Sequence, residues 1–177
     1  MRRRDWNALV AGLGLAAPAA LVQAAVYLTE AQARDLLFPG LAMRAEDRTL
    51  SPQETRLIES RSGETVRKDP LRILWGPKGQ ALFIDQVEGK HDLITYALAV
   101  AENGKVKGME ILEYRESYGG QVRRPDWRAQ FVGKDVHSPL KMGGDIQSIS
   151  GATISSSHLT GGVRRLLCTY EVLRALH

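Results

Sequence analysis

The stretch ITYALAVAENGKVKGMEILEYR, residues 94–115, decides the fold. Ile94 to Val100 alternates as a strand does, with larger apolar side chains at every second position. Asn103-Gly104 is a strong two-residue hairpin signal, which requires positive φ at both positions. The chain then returns through Val106 to Arg115 as a second strand. Residues 94–115 therefore read as an antiparallel pair.

Working outward, Leu71 to Trp75 is strand-like, Gly76-Pro77-Lys78-Gly79 is a turn, and Ala81 to Ile84 continues as a strand. Helices lie on both sides of this region. Thr29-Glu30-Ala31-Gln32 is a capping box that opens a helix through Leu37, stopped by Pro39-Gly40. Ser51-Pro52-Gln53-Glu54 is another, with Pro52 at the first helical position and the helix running to Arg61, before Gly63. At the C-terminus Leu159, Val163, Leu166, Leu167, Tyr170 and Leu173 recur at spacings of three and four, which predicts a helix with Arg164, Arg165 and Arg174 toward solvent. A serine among Ser155 to Ser157 is expected to cap it. The fold class is α+β, an antiparallel sheet with flanking helices.

Composition sets further bounds. The 177 residues are 44% apolar and 25% charged, enough for a core without disulfide or metal staples. The single cysteine, Cys168, excludes an internal disulfide, a C-x-x-C redox pair and C-x-x-C-H haem attachment. It falls in the apolar pattern of the last helix and reads as a buried structural thiol. The chain opens with Arg2, Arg3 and Arg4, followed by an uncharged run from Trp6 to Thr29, with small residues at Val22-Gln23-Ala24. Residues 1–24 read as a signal peptide cleaved after Ala24, leaving 25–177 as a single domain outside the cytoplasm, in the periplasm. Gly12, Gly14 and Pro18 weaken a membrane-spanning alternative. Removing three arginines and one aspartate lowers the net charge from +4 to +2. That near-neutral domain argues against nucleic acid as a partner.

SISGATISS, residues 148–156, crowds hydroxyls ahead of the last helix with no acid, histidine or metal ligand inside it. A helix start carries unpaired N–H groups and partial positive charge, and phosphate sits well there. Gly151 admits close approach of backbone to a ligand, Ala152 keeps the space clear, and Thr153 adds a hydroxyl. Ser150, Ser155 and Ser156 complete a candidate cradle. A plain serine-rich cap fits the same pattern equally. A hydrolase built on one of these serines would need a base, for which His158 is the local candidate, and an organised partner set that the sequence does not display.

Ser150-Gly151-Ala152-Thr153, followed by Ile154-Ser155-Ser156, resembles the S-G-A-T motif of the FMN-binding domain family, found in Rnf-type and sodium-translocating NADH:quinone oxidoreductase complexes. Ile111 to Gly120, with Glu116 and Gly119, is similar to the family's strand ending in Glu-x-x-Gly. Trp127, Gln130, Phe131 and Gly133-Lys134 fit the segment that follows. The likeness covers Leu71 to the C-terminus.

The resemblance implies FMN as cofactor, joined through its phosphate to Thr153 by a flavin transferase. It also implies an electron-carrying role with a membrane or periplasmic redox partner: a cytochrome, an iron–sulfur protein or a quinone-linked complex. Glu116 and Gly119 are implied to border the flavin, and Tyr118 and Trp127 are candidates to stack on its ring. Lys134, His137 and Lys141 are candidates to balance phosphate charge. One position departs from the family pattern. The transferase signal carries an aspartate three residues before the motif serine, and Gln147 stands there, with Asp145 two residues earlier. Non-covalent FMN in the same pocket, and a non-catalytic assembly module of a membrane redox complex without flavin, therefore stay open beside the covalent carrier.

Overall fold

A computed structural model describes residues 25–116 and 119–175; the expected signal segment, residues 1–24, lies outside them. A six-stranded antiparallel sheet is built from β1 (Ala25–Val26), β2 (Arg44–Arg48), β3 (Leu71–Trp75), β4 (Ala81–Glu88), β5 (Leu93–Val100) and β6 (Val106–Tyr114), in the order β1-β6-β5-β4-β3-β2. The helices are α1 (Glu30–Leu37), α2 (Pro52–Ser62), α3 (Pro125–Ala129) and α4 (Thr153–Arg174), with a 3-10 turn at Gly120–Arg123. The α+β reading holds.

The hairpin β5–β6 pairs Tyr96 with Ile111, Leu98 with Met109 and Val100 with Val106. Its turn differs from the expected one. Gly104 has φ +79° and Asn103 does not take positive φ. Gly104 N–H donates to Ala101 O at 2.9 Å and Ala101 N–H to Lys105 O at 2.8 Å. This is a three-residue loop in which glycine alone takes the left-handed position. Asn103 uses its side chain instead, with Oδ1 accepting from Lys105 N–H at 3.1 Å.

Side chains of alternating β residues go to two layers. Phe83, Tyr96, Leu98, Met109 and Ile111 share one core with Leu159, Val163, Leu166 and Tyr170 of α4. Leu74, Leu82, Ala97, Ala99 and Leu112 face Ala33, Leu37 and Phe38 at α1. Both expected capping boxes form, at Thr29 with Gln32 and at Ser51 with Glu54, and α2 ends on Gly63 at φ +71°. Cys168 is buried beside Ile58 and Val172, and burial pushes its thiol pKa up.

α4 lies close on the sheet because Gly162 has no side chain. A Cβ at Gly162 would fall 2.4 Å from Tyr96 Oη and 2.8 Å from Val87 Cγ1. One turn on, Arg165 departs from its expected solvent position. It reaches inward to Asp85 Oδ2 at 2.6 Å, and Tyr96 O–H donates to the same oxygen at 3.0 Å. Arg165 also donates to Thr65 O at 3.0 Å. A helix held this near the sheet leaves a long cationic side chain within reach of a buried carboxylate, and the pair satisfies both.

β2, RAEDR, was not legible as a strand, since five mostly charged residues carry no apolar alternation. It is an edge strand, joined to β3 through Arg72 with Asp47 and Trp75 Nε1–H with Glu46 Oε2 at 3.0 Å. The other edge, β6, is covered in pieces. β1 pairs at Tyr114 and Glu113, Arg128 donates to Met109 O at 2.8 Å, and Gly133 and Lys134 bond the backbone of Val106.

Two stability measurements check this packing. Gly162→Ala should lose about 1–3 kcal/mol by urea unfolding, because the added methyl meets a fully buried phenol that has nowhere to move. Glu54 accepts from Ser51 N–H at 2.6 Å and from Arg48 at 2.8 Å, and the Ser51 backbone bond leads in holding its pKa below the usual value. A carboxyl lowered by folding stabilises above its unfolded pKa, about 4.3, and that gain disappears as pH falls through the folded value. Unfolding followed from about pH 6 to about pH 3 should show a shallower loss for Glu54→Gln than for the unsubstituted chain.

Candidate functional site at the start of the last helix

Two segments distant in sequence meet where β6 ends and α4 begins. Gly151, at φ +80°, turns the chain into the helix. Ala152 N–H then donates to Ile149 O at 3.0 Å, and Ala152 is the N-cap. The expected cap, a serine among Ser155 to Ser157, is corrected here: those residues sit inside the first turns, because the Gly151 turn starts the helix at Thr153. An alanine cap offers no oxygen to the first-turn N–H groups, and it costs about 1 kcal/mol against Ser or Asp. A chain with serines at 150, 155 and 156 that places alanine at the cap leaves this helix start open to an external acceptor.

Around that start, Ser150, Gly151 and Thr153 are exposed, whereas Ala152 and Ser155 are each 4% exposed and Ser156 is fully buried. Ser156 Oγ donates to Ala152 O at 2.8 Å and so tightens the first turn. Ser155 Oγ lies 3.3 Å from Tyr114 Oη at the end of β6. Gly119 closes the junction at φ +87°. A Cβ there would fall 2.4 Å from Tyr114 Oη, 3.2 Å from Ser155 Oγ and 3.5 Å from Ala152 Cβ. Gly119 thus meets the segment that follows Gly151, at a glycine that no larger residue can replace without displacement. Tyr114 was missed by sequence reasoning. Only its position on the inward-facing alternation of β6, at the last strand residue, would have pointed to it.

The remaining predicted residues fall as follows. The Glu116 carboxylate clamps the turn between β4 and β5, accepting from His91 N–H at 2.7 Å and Asp92 N–H at 3.2 Å. Burial pushes its pKa up, but the backbone N–H groups of His91, Asp92 and Lys90 outweigh this and hold it below the usual value. Tyr118 lies outside the described residues. Trp127 is 4% exposed, edge-on to Phe131, and its Nε1–H donates to Gln147 O at 2.8 Å. Gln130 Oε1 accepts from Gln147 N–H at 2.8 Å. α3 therefore holds the segment that leads into the motif. An open trough of about 510 Å³ lies beside it, lined by Gln121, Arg124, Trp127, Gln130, Gln147 and Ser150.

Asp145 is committed elsewhere. It accepts from Lys134 Nζ at 2.8 Å, Lys141 N–H at 2.8 Å and Leu140 N–H at 3.3 Å. Lys134 is therefore paired, while the Lys141 and His137 side chains are exposed. His158 Nδ1 contacts Glu88 O at 2.6 Å, whereas Ser155 and Ser156 engage Tyr114 and helix carbonyls, so neither of these serines pairs with His158. Among the described residues no group of three His, Cys, Asp or Glu could hold a metal.

The arrangement fits a phosphate ester. It provides a helix start without a side-chain cap, a positive-φ glycine beside it and an exposed threonine hydroxyl at the first helical position. Gly119→Ala should destabilise the chain by about 1–3 kcal/mol in denaturant unfolding and lower its FMN occupancy by flavin absorbance, since the new methyl enters the Tyr114–Ser155 contact.

A family model described as the FMN-binding domain matches residues 89–168. A search of curated proteins gave no match. The matched segment contains β5, β6, Gly119, α3 and the S-G-A-T run, the parts that build the site at the start of α4. The match assigns residues 89–168 to the FMN-binding domain family.

Proposed function

We propose that this chain is an exported flavoprotein that carries electrons, with FMN joined through its phosphate to Thr153 by a flavin transferase. The observation that carries the reading is the alanine-capped start of α4, with Gly151 beside it and the Thr153 hydroxyl exposed on its first turn. In this reading the first-turn N–H groups and the Ser150 hydroxyl hold the phosphate, Gly151 and Gly119 admit close approach, and α3 walls the adjoining trough. Attachment from FAD breaks the pyrophosphate P–O bond, joins the FMN phosphorus to the Thr153 hydroxyl oxygen and releases AMP, which carries away the hydroxyl proton, so the chain gains the mass of one FMN less one water. Bound FMN supplies one- and two-electron chemistry, which the protein orients and tunes. A tether suits a carrier outside the cytoplasm, where lost FMN is not readily replaced. Export rests on the residue 1–24 pattern, and no helix among the described residues is long and apolar enough to cross a membrane. A cytochrome, an iron–sulfur protein or a quinone-linked membrane complex is the proposed redox partner.

Gln147 favours a second reading, an assembly or binding module with non-covalent or no flavin. Its position lacks the carboxylate of the transferase signal, and Asp145 is held by Lys134 and two backbone N–H groups. Intact mass after co-expression with a periplasmic flavin transferase, with gel fluorescence and peptide mapping, separates the two. A gain of one FMN less water mapped to Thr153, absent in Thr153→Ala, is the expected result. Colour lost on denaturation would indicate non-covalent FMN, and colourless protein would support the assembly module. Gln147→Asp should increase the modified fraction in a time course, and an unchanged rate would show that this position does not limit modification.

A further inference from the structure

The hydroxyls of α4 do not behave alike. Ser156 Oγ donates to Ala152 O at 2.8 Å, Thr160 Oγ1 to Ser156 O at 2.7 Å and Thr169 Oγ1 to Arg165 O at 2.9 Å. Each folds back on the carbonyl four residues earlier, the local bond open to any serine or threonine in a helix. Ser155 departs from that pattern. It is 4% exposed, and its Oγ instead meets Tyr114 Oη, itself 4% exposed, at 3.3 Å. Gly119 packs over both, with room for no side chain of its own. A phenol from the sheet, a hydroxyl from the helix and the backbone of a loop therefore converge two residues beyond Thr153.

The chemistry of the pair sets a direction. Burial raises the Tyr114 pKa, with the Ser155 bond opposing it, so the phenol keeps its proton at neutral pH. A serine hydroxyl has one hydrogen and two lone pairs. If the phenol donates into a lone pair of Ser155 Oγ, the Ser155 hydrogen is turned toward a third group. Ser155 lies in the first turn of α4, two residues after Thr153 and three after the alanine cap.

We propose that Tyr114 is a positioning residue for the phosphate of FMN: its O–H donates to Ser155 Oγ, which presents the Ser155 hydrogen to a phosphate oxygen at the start of α4. This rests on the FMN reading above. Tyr114 touches no flavin atom in this scheme and acts on the phosphate through Ser155.

The test compares FMN with riboflavin, which lacks the phosphate, by fluorescence titration of the full chain produced without a flavin transferase. Tyr114→Phe retains the ring and its packing. It should weaken FMN binding about tenfold, the scale of one hydrogen bond to a charged group, and leave riboflavin binding unchanged. Ser155→Ala should show a similar loss, and adding Tyr114→Phe to it should cost nothing more. Equal weakening of FMN and riboflavin would reduce Tyr114 to a packing role and overturn the proposal. Unchanged FMN binding in Tyr114→Phe, or additive losses in the double variant, would overturn it as well. Wild-type chain that binds FMN no more tightly than riboflavin would also overturn it, whatever the mass measurement shows at Thr153. The FMN reading itself fails only if the wild-type chain shows no flavin in either experiment.

Discussion

The site depends on how closely α4 can lie on the sheet. Gly162 removes the side chain that would hold the helix off Tyr96 and Val87, and its neighbour Gly161 admits the Glu64 carboxylate on another face of the helix. Contact at that distance brings Arg165 down to Asp85 and fixes the helix against β4 at a second point. With its middle held, the N-terminal turn of α4 falls at the end of β6, where Tyr114 and Gly119 receive Ser155 and Ala152. A shift of the helix by the width of a methyl group would be felt at both ends, since packed interiors do not absorb such changes locally. Gly162 lies nine residues from Thr153, yet the helix position it permits is the one that sets Thr153 at the end of β6.

Much of this architecture was legible because the sequence states it locally. The capping boxes at Thr29 and Ser51, the strand Leu71 to Trp75 and the apolar spacing of the last helix each follow from interactions within a few residues, and each appears as expected. The failures have a common origin in tertiary contacts. β2 has no apolar pattern because an edge strand of charged residues is held by backbone pairing and ion pairs rather than by burial. The serines at 155–157 resembled a cap, but Gly151 starts the helix earlier. Arg165 resembled a surface residue, and only the closeness granted by Gly162 turns it inward.

The site itself was half visible. The S-G-A-T run and Gly119 could be found separately, since each carries a glycine where the chain turns. Their union could not, because it passes through Tyr114, whose neighbours in sequence give no sign of a partner 41 residues on. The same limit applies to Glu116. Read as a border of the ligand, its carboxylate is engaged with the backbone of the turn between β4 and β5. That bond ties the segment after β6 to the neighbouring β4–β5 turn at the same end of the sheet, so Glu116 bears on the site through the loop it anchors.

The treatment of the sheet edges bears on how the chain meets other molecules. An open strand edge is a row of unpaired donors and acceptors that invites any extended segment to add to it. On β6 that row is interrupted by β1 at one end, by Gly133 and Lys134 at the other, and by the Arg128 guanidinium on the Met109 carbonyl between them. On β2 the row is bordered by alternating charge, which opposes a second copy of the same strand in register. Strand addition is thereby disfavoured at both margins of the sheet, and recognition is left to side chains and loops. For a protein whose proposed work is brief contact with successive partners, that is a useful property: surfaces joined by a few side chains separate quickly, whereas a shared ladder of backbone bonds would not.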